Sequence, residues 1–170
     1  MKKTCYLIVT TLLICGSFCF AQDVESVFKH GESKFQAGDY KNAEIEYTKV
    51  LELNNKYINA YIRRGFCRSQ LLDYKGAIED YTKVIEIDSK HKWAYLSRGA
   101  AKNKLNEFKE ALVDFNKVIE IDPKDQEAYN NRGFSKKGLD DISGACADWN
   151  KSKKMGNEEA KIILKNNHCK

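Results

Sequence analysis

The sequence predicts an all-α protein assembled from four helix–turn–helix units and closed by a short C-terminal helix. Three observations carry this reading. A 34-residue step relates Gly31, Gly65, Gly99 and Gly133, and the same step relates Ala43, Ala77, Ala111 and Ala145. Two further columns, Tyr47, Tyr81, Phe115, Trp149 and Tyr40, Tyr74, Phe108, Ile142, keep that register. Self-similarity of this kind marks one supersecondary unit written several times. Finally, a single proline in 170 residues, with 42% hydrophobic and 31% charged residues, suits a soluble chain that is nearly all helix.

The elements follow in order. Residues 1–21 read as a secretory signal peptide: Lys2 and Lys3 form a basic start, Cys5 to Phe20 an uncharged and mostly apolar core, and Cys19-Phe20-Ala21 a cleavage site. An uncleaved membrane anchor is the alternative, although the run is at the short limit for spanning a bilayer. Lipid attachment is disfavoured, because bulky Ile14 and Phe18 precede Cys15 and Cys19 where the bacterial lipobox needs a small residue. The "MKK" start resembles bacterial secretory leaders, so the expected address is secreted, with periplasm favoured. Cleavage lowers the net charge from +5 to +3, since two lysines and no acids leave. The remaining lysines are spread along the chain, unlike the concentrated patch of a nucleic-acid binder. Cleavage also leaves Cys67, Cys146 and Cys169, an odd count that in an oxidising compartment implies one pair and one leftover.

The four units span about 24–57, 58–91, 92–125 and 126–157. In the third, helices are expected over Trp93–Leu105 and Phe108–Ile121, with Asn106-Glu107 as the turn and Pro123 closing the unit. Asp39, Asp73 and Asp141 stand just ahead of the second helices, where a carboxylate accepts from free backbone N–H groups; Glu107 does this less well. Glycine within a helix costs about 1 kcal/mol against alanine, so its recurrence needs a packing reason. The expectation is that each glycine faces the alanine of the second helix, and that the aromatic one turn further on fills the wedge. Arg64, Arg98 and Arg132 recur with Asp80, Asp114 and Asp148. Intramolecular ion pairs are the preferred reading, and a ladder of arginines for phosphate or carboxylate ligands is the alternative.

The fourth unit carries Ser152 and Lys153 where its siblings have Val-Leu or Val-Ile, a polar end that suits a terminal repeat. Residues 158–170 then read as an amphipathic capping helix, with Ala160, Ile163 and Leu164 over the last open face. An antiparallel return about Met155-Gly156-Asn157 brings Cys146 and Cys169 to within about 5 Å in height. A disulfide there would staple the cap; two free thiols are the alternative. Cys67 shares its column with Ser33, Ala101 and Ser135 and reads as a small core residue.

These spacings resemble the tetratricopeptide repeat family (TPR). Gly31, Gly65, Gly99 and Gly133 match its small first-helix position, "GDYKNAEIEY" from Gly38 and "FKEALVDF" from Phe108 the start of its second helix, and Pro123 its closing proline. The likeness covers Val24 to about Asn157. The first unit departs from it with Val27 and Lys34 where aromatics are common. The resemblance implies a right-handed superhelix whose concave wall is lined by first helices, and a non-catalytic adaptor that holds a peptide or protein segment there.

Carried over, the groove positions fall on Phe28 and Phe35 in the first unit and on Ile62, Arg63 and Phe66 in the second. In the third they are Trp93, Leu96 and Asn103, and in the fourth Asn130, Asn131 and Phe134. Apolar anchors ringed by amides and a guanidinium suit a peptide ligand. The carboxylate clamp of chaperone-binding relatives is missing: its positions hold Phe28, Glu32, Arg63, Trp93 and Ser97. No phosphate loop, HExxH, nucleophile elbow or CxxC occurs, and His30, His91 and His168 are scattered. The expectation is therefore no catalysis, no cofactor, no metal and no nucleic acid. A monomer without membrane contact after cleavage is expected; the alternative function is a structural or self-associating module.

Overall fold

One kind of turn, used five times, sets the architecture. The backbone enters the left-handed region at Gly38, Leu72, Asn106, Asp140 and Gly156, with φ of 75°, 66°, 60°, 63° and 101°. The next residue's N–H then reaches back to the third-last residue of the finished helix, as in Asp39 to Lys34, Asp73 to Arg68 and Glu107 to Lys102. This is the Schellman closure. That next residue immediately opens the following helix. Asp39, Asp73, Asp141 and Asn157 accept from the N–H groups of Asn42, Gly76, Gly144 and Ala160. Glu107 makes no such side-chain bond.

The computed structural model describes residues 24–169; the proposed leader, 1–21, lies outside them. Helix α1 covers 24–36, and α2 (Tyr40–Leu53), α3 (Ile58–Gln70), α4 (Tyr74–Ile87) and α5 (Lys92–Lys104) follow. Next come α6 (Phe108–Ile121), α7 (Gln126–Gly138), α8 (Ile142–Lys154) and α9 (Glu158–Asn166). From α2 to α9 each helix packs on its sequence neighbours, and α5 also touches α7, so these two first helices lie side by side.

The packing inside each unit corrects one expectation. The recurring alanines are fully buried, but each glycine's nearest neighbour is the aromatic ring. A Cβ on Gly65 would lie 2.7 Å from the Tyr81 ring, and one on Gly99 would lie 2.8 Å from Phe115. The second-helix aromatic thus occupies the space a first-helix side chain would need. Gly31 and Gly133 stand likewise against Tyr47 and Trp149.

The periodic charges form a ladder. Arg64, Arg98 and Arg132 meet Asp80, Asp114 and Asp148 at 2.6, 2.6 and 2.7 Å. A second cation one turn further along the first helix, Arg68, Lys102 or Lys136, meets the same carboxylate. Each arginine's remaining nitrogen donates to the preceding second helix, at Thr48, Thr82 and Asn116. One side chain therefore ties three helices together.

The C-terminal end is less polar than the sequence implies. Ser152 is fully buried and donates to the Gln126 carbonyl at 2.7 Å. Helix α9 stacks as the first helix of an unfinished fifth unit. Asn157 caps it at Ala160 as Asp125 caps α7 at Ala128, and Leu164 stands where earlier units place an arginine. Ala160, Leu164 and Ile163 pack on Ala145 and Trp149. Cys146 and Cys169 are disulfide-bonded, with Cα atoms 5.5 Å apart. Cys67 is a buried free cysteine, and burial pushes its thiol up to about 12.

Candidate functional site

Side-by-side first helices leave three adjoining hollows on one wall. The first, of about 460 Å³, lies between α1 and α3 and is lined by Phe28, Phe35, Ile62 and Phe66, with Trp93 at its edge. The second, about 420 Å³, lies between α3 and α5 and shares Phe66 and Trp93 with the first. The third, about 570 Å³, lies between α5 and α7 and shares Ala100 and Lys104 with the second. Shared walls make the three a continuous groove.

The aromatic lining is braced from behind. Phe66 stands 5.2 Å from Phe35, Trp93 meets Tyr81 edge-on at 5.6 Å, and Phe134 meets Trp149 edge-on at 5.6 Å. Each pair joins a groove residue to a ring that another helix holds in place. Such anchors lose little freedom when a partner arrives. In the first hollow, Arg63 pairs with Glu32 at 2.8 Å and lies over the Phe35 ring at 4.7 Å. The Tyr47 hydroxyl donates to Glu32 at 2.5 Å, and burial together with that carboxylate pushes the phenol far above its ordinary range. The charges of this hollow are matched to each other, beside the aromatic lining.

Of the residues the sequence assigned to the groove, Phe28, Phe35, Ile62, Arg63, Phe66 and Trp93 line the first hollow, and Asn103, Asn131 and Phe134 the third. Two assignments are corrected. Leu96 is only 7% exposed and packs in the core with Ala111, Phe115 and Ala128. Asn130 is 3% exposed; its amide donates to Glu159 and its backbone carbonyl accepts from the Trp149 indole N–H at 3.1 Å. Both belong to the repeat column of Phe28 and Ile62, which line the first hollow, so this column lies at the border between groove and core and is covered in the third and fourth units. Asn103 does line the groove, yet it also works as a strut: it donates to the Asn131 carbonyl and accepts from Ser135.

The structure adds Asn59, Lys104, Phe108, Glu127 and Glu159 to the wall. Asn59 and Glu127 lie 34 residues either side of Trp93, so the column that gave one could have given all three. Phe108 comes from a second helix and reaches the groove beside Gly138, where a Cβ would lie 2.5 Å from its ring. Burial, then Asp125 and Glu159, push the Glu127 carboxyl up. His91 caps α5, accepting at Nδ1 from the Ala94 N–H. Among the described residues no three His, Cys, Asp or Glu side chains are placed to hold a metal ion, and no helix is long and apolar enough to cross a membrane.

This geometry agrees with the comparisons. Residues 24–57 and 58–91 match one profile of the tetratricopeptide repeat, and residues 93–125 match another. The chain belongs to the tetratricopeptide repeat family, and its fold is the all-α solenoid of a protein-interaction scaffold. No curated protein matches it. Among solved structures, MamA 41-end from Desulfovibrio magneticus RS-1 superposes with a TM-score of 0.74 at 23% identity, over 78% of this chain and 75% of that one. That likeness speaks for the fold alone. The first TPR of Spaghetti (RPAP3), bound to the HSP90 peptide SRMEEVD, gives 0.67 at 25% identity, over 70% and 94%. The Arabidopsis OM64 TPR domain gives 0.63 at 28%, over 67% and 94%.

Proposed function

We propose that this protein is a non-catalytic adaptor that holds a segment of another protein in its concave groove, and that it does so after export. The observation that carries the reading is the continuous run of braced aromatics on the first helices, with Arg63 and Glu32 already paired to each other. Partly exposed Phe and Trp gathered along one wall, rather than scattered singly, favour an interaction surface. The peptide-bound Spaghetti domain supports a peptide as the ligand, since it shares the fold over 70% of the chain. Export rests on the leader-like residues 1–21 and draws support from the Cys146–Cys169 bond, which persists in oxidising compartments.

The test compares wild type with Phe66→Ala plus Trp93→Ala as baits in envelope extract, after circular dichroism shows both folded. Loss of at least one specifically retained protein from the double variant is expected. Recovery of the same proteins at equal yield overturns the groove reading. A second reading, end-on self-association, draws on Ile162, which is 62% exposed where the equivalent Leu96 and Asn130 of the third and fourth units are buried. Light scattering separates the two: a monomer at high concentration removes self-association.

A further inference from the structure

The third hollow differs from the first in its unmatched charge. Lys104, the last residue of α5, makes no ion pair among the described residues, and Lys137 bonds only the neutral Asn167 amide, at 2.6 Å. Both stand at the C-terminal ends of their helices, beside the floor made by Phe108 and Phe134. One carboxylate lines the same hollow. Glu159, in the first turn of α9, is engaged there by the Asn130 amide. The hollow therefore combines two ammonium groups outside any ion pair among the described residues, one carboxylate held by an amide, and two aromatic rings. The Asn131 side chain also lines the hollow and makes no hydrogen bond of its own among the described residues, which leaves its amide free for a ligand.

From this arrangement we infer that the third hollow is a specificity subsite for a bulky apolar side chain followed by an acidic one. The apolar group would settle on Phe134 and Phe108, and the carboxylate would reach the Lys104 and Lys137 ammonium groups. A basic residue in the same place meets like charge at that rim. The pairing is by point charges at a partly wet rim, so it sets preference more than affinity. The inference rests on the groove reading and sharpens it: it names the chemistry a partner must carry at one end of the track.

The probes are three blocked dipeptides, acetyl-Phe-Asp-amide, acetyl-Phe-Asn-amide and acetyl-Phe-Lys-amide, titrated into the full 15N-labelled chain and followed by amide shifts. The expected order is Asp, then Asn, then Lys, with Asp about fivefold tighter than Asn at low salt. The shifts should centre on Asn131, Phe134 and Gly138. Lys104→Gln plus Lys137→Gln should bring Asp and Asn level while leaving Asn binding unchanged, a pattern that misfolding does not produce. Equal binding of Asp and Asn to wild type overturns the inference but leaves the groove reading, because the hollow is still occupied. Shifts confined to the first hollow, around Phe66 and Trp93, overturn it in the same way. Binding nowhere along the wall overturns both.

Discussion

Leu72 occupies a position that its siblings fill with Gly38, Asn106, Asp140 and Gly156, all with positive φ. Glycine has no Cβ to clash there, and Asn and Asp tolerate the left-handed region through local hydrogen bonding. Leucine has neither advantage, and its side chain is 71% exposed, so little burial offsets the strain. Leu72→Gly should therefore stabilise the protein by about 1 kcal/mol, the relief of strain being partly cancelled by the greater freedom of glycine in the unfolded chain. Urea unfolding checks this. An unchanged or lower midpoint would mean that the contact Leu72 makes along the second hollow outweighs its backbone cost. The 34-residue alignment marks position 72 as the odd member of its column, but only the backbone dihedral says what the column is for.

At the scale of the element, α9 is the weakest part of the array. It has nine residues, too few to stand alone in water, and only Ala160 and Leu164 are buried. Besides that packing, it is held by the Asn130–Glu159 and Lys137–Asn167 bonds and by the disulfide from Cys169 to Cys146 on α8. The amphipathic pattern was enough to place this helix. Its kinship with the first helices was not visible, because Asn157 follows the equivalent Asp125 by 32 residues, and the missing two break the period. Closing a loop of 23 residues' separation removes chain entropy from the unfolded state, worth roughly 3 kcal/mol. Replacing both cysteines by serine should lower stability by about that amount. The loss should be local. Amide exchange is expected to quicken across α9 and the end of α8 while α3 to α6 keep their protection. Uniform loss of protection over the chain would show that the bond supports the whole fold.

For the whole molecule, the fold was legible and the groove only partly so, for a physical reason. Periodic letters such as Gly99, Ala111 and Phe115 report contacts repeated in every unit, and repetition makes them visible without coordinates. Groove residues vary by nature, so they were placed by position on the helix alone. Phe28, Ile62, Leu96 and Asn130 share one column, yet the first two line the groove and the last two are buried, so position in the repeat does not settle which side a residue takes. The arginine–aspartate ladder was readable as pairs, but its reach into the preceding unit was not, since Thr48, Thr82 and Asn116 share no letter strong enough to notice. That reach makes the ladder a coupling between units. In a nearest-neighbour array, stability is a sum of unit and interface contributions, so the middle rung matters most. Asp114 is fully buried and receives both Arg98 and Lys102, at 2.6 and 2.8 Å. Asp114→Ala leaves two cations without their carboxylate in a half-buried setting and should cost about 3–5 kcal/mol. Glu86→Ala, which breaks an exposed pair with Lys83, should cost about 0.5 kcal/mol or less. The buried variant should also unfold less cooperatively, because units one and two become separable from unit four and α9. The two tryptophans, Trp93 in α5 and Trp149 in α8, report the two sides of the broken rung. Their urea transitions, followed singly after Trp→Phe replacement of the other, should coincide in wild type and separate in Asp114→Ala. Coincident transitions in the variant, or a cost below about 1 kcal/mol, would reduce the ladder to ordinary surface pairing.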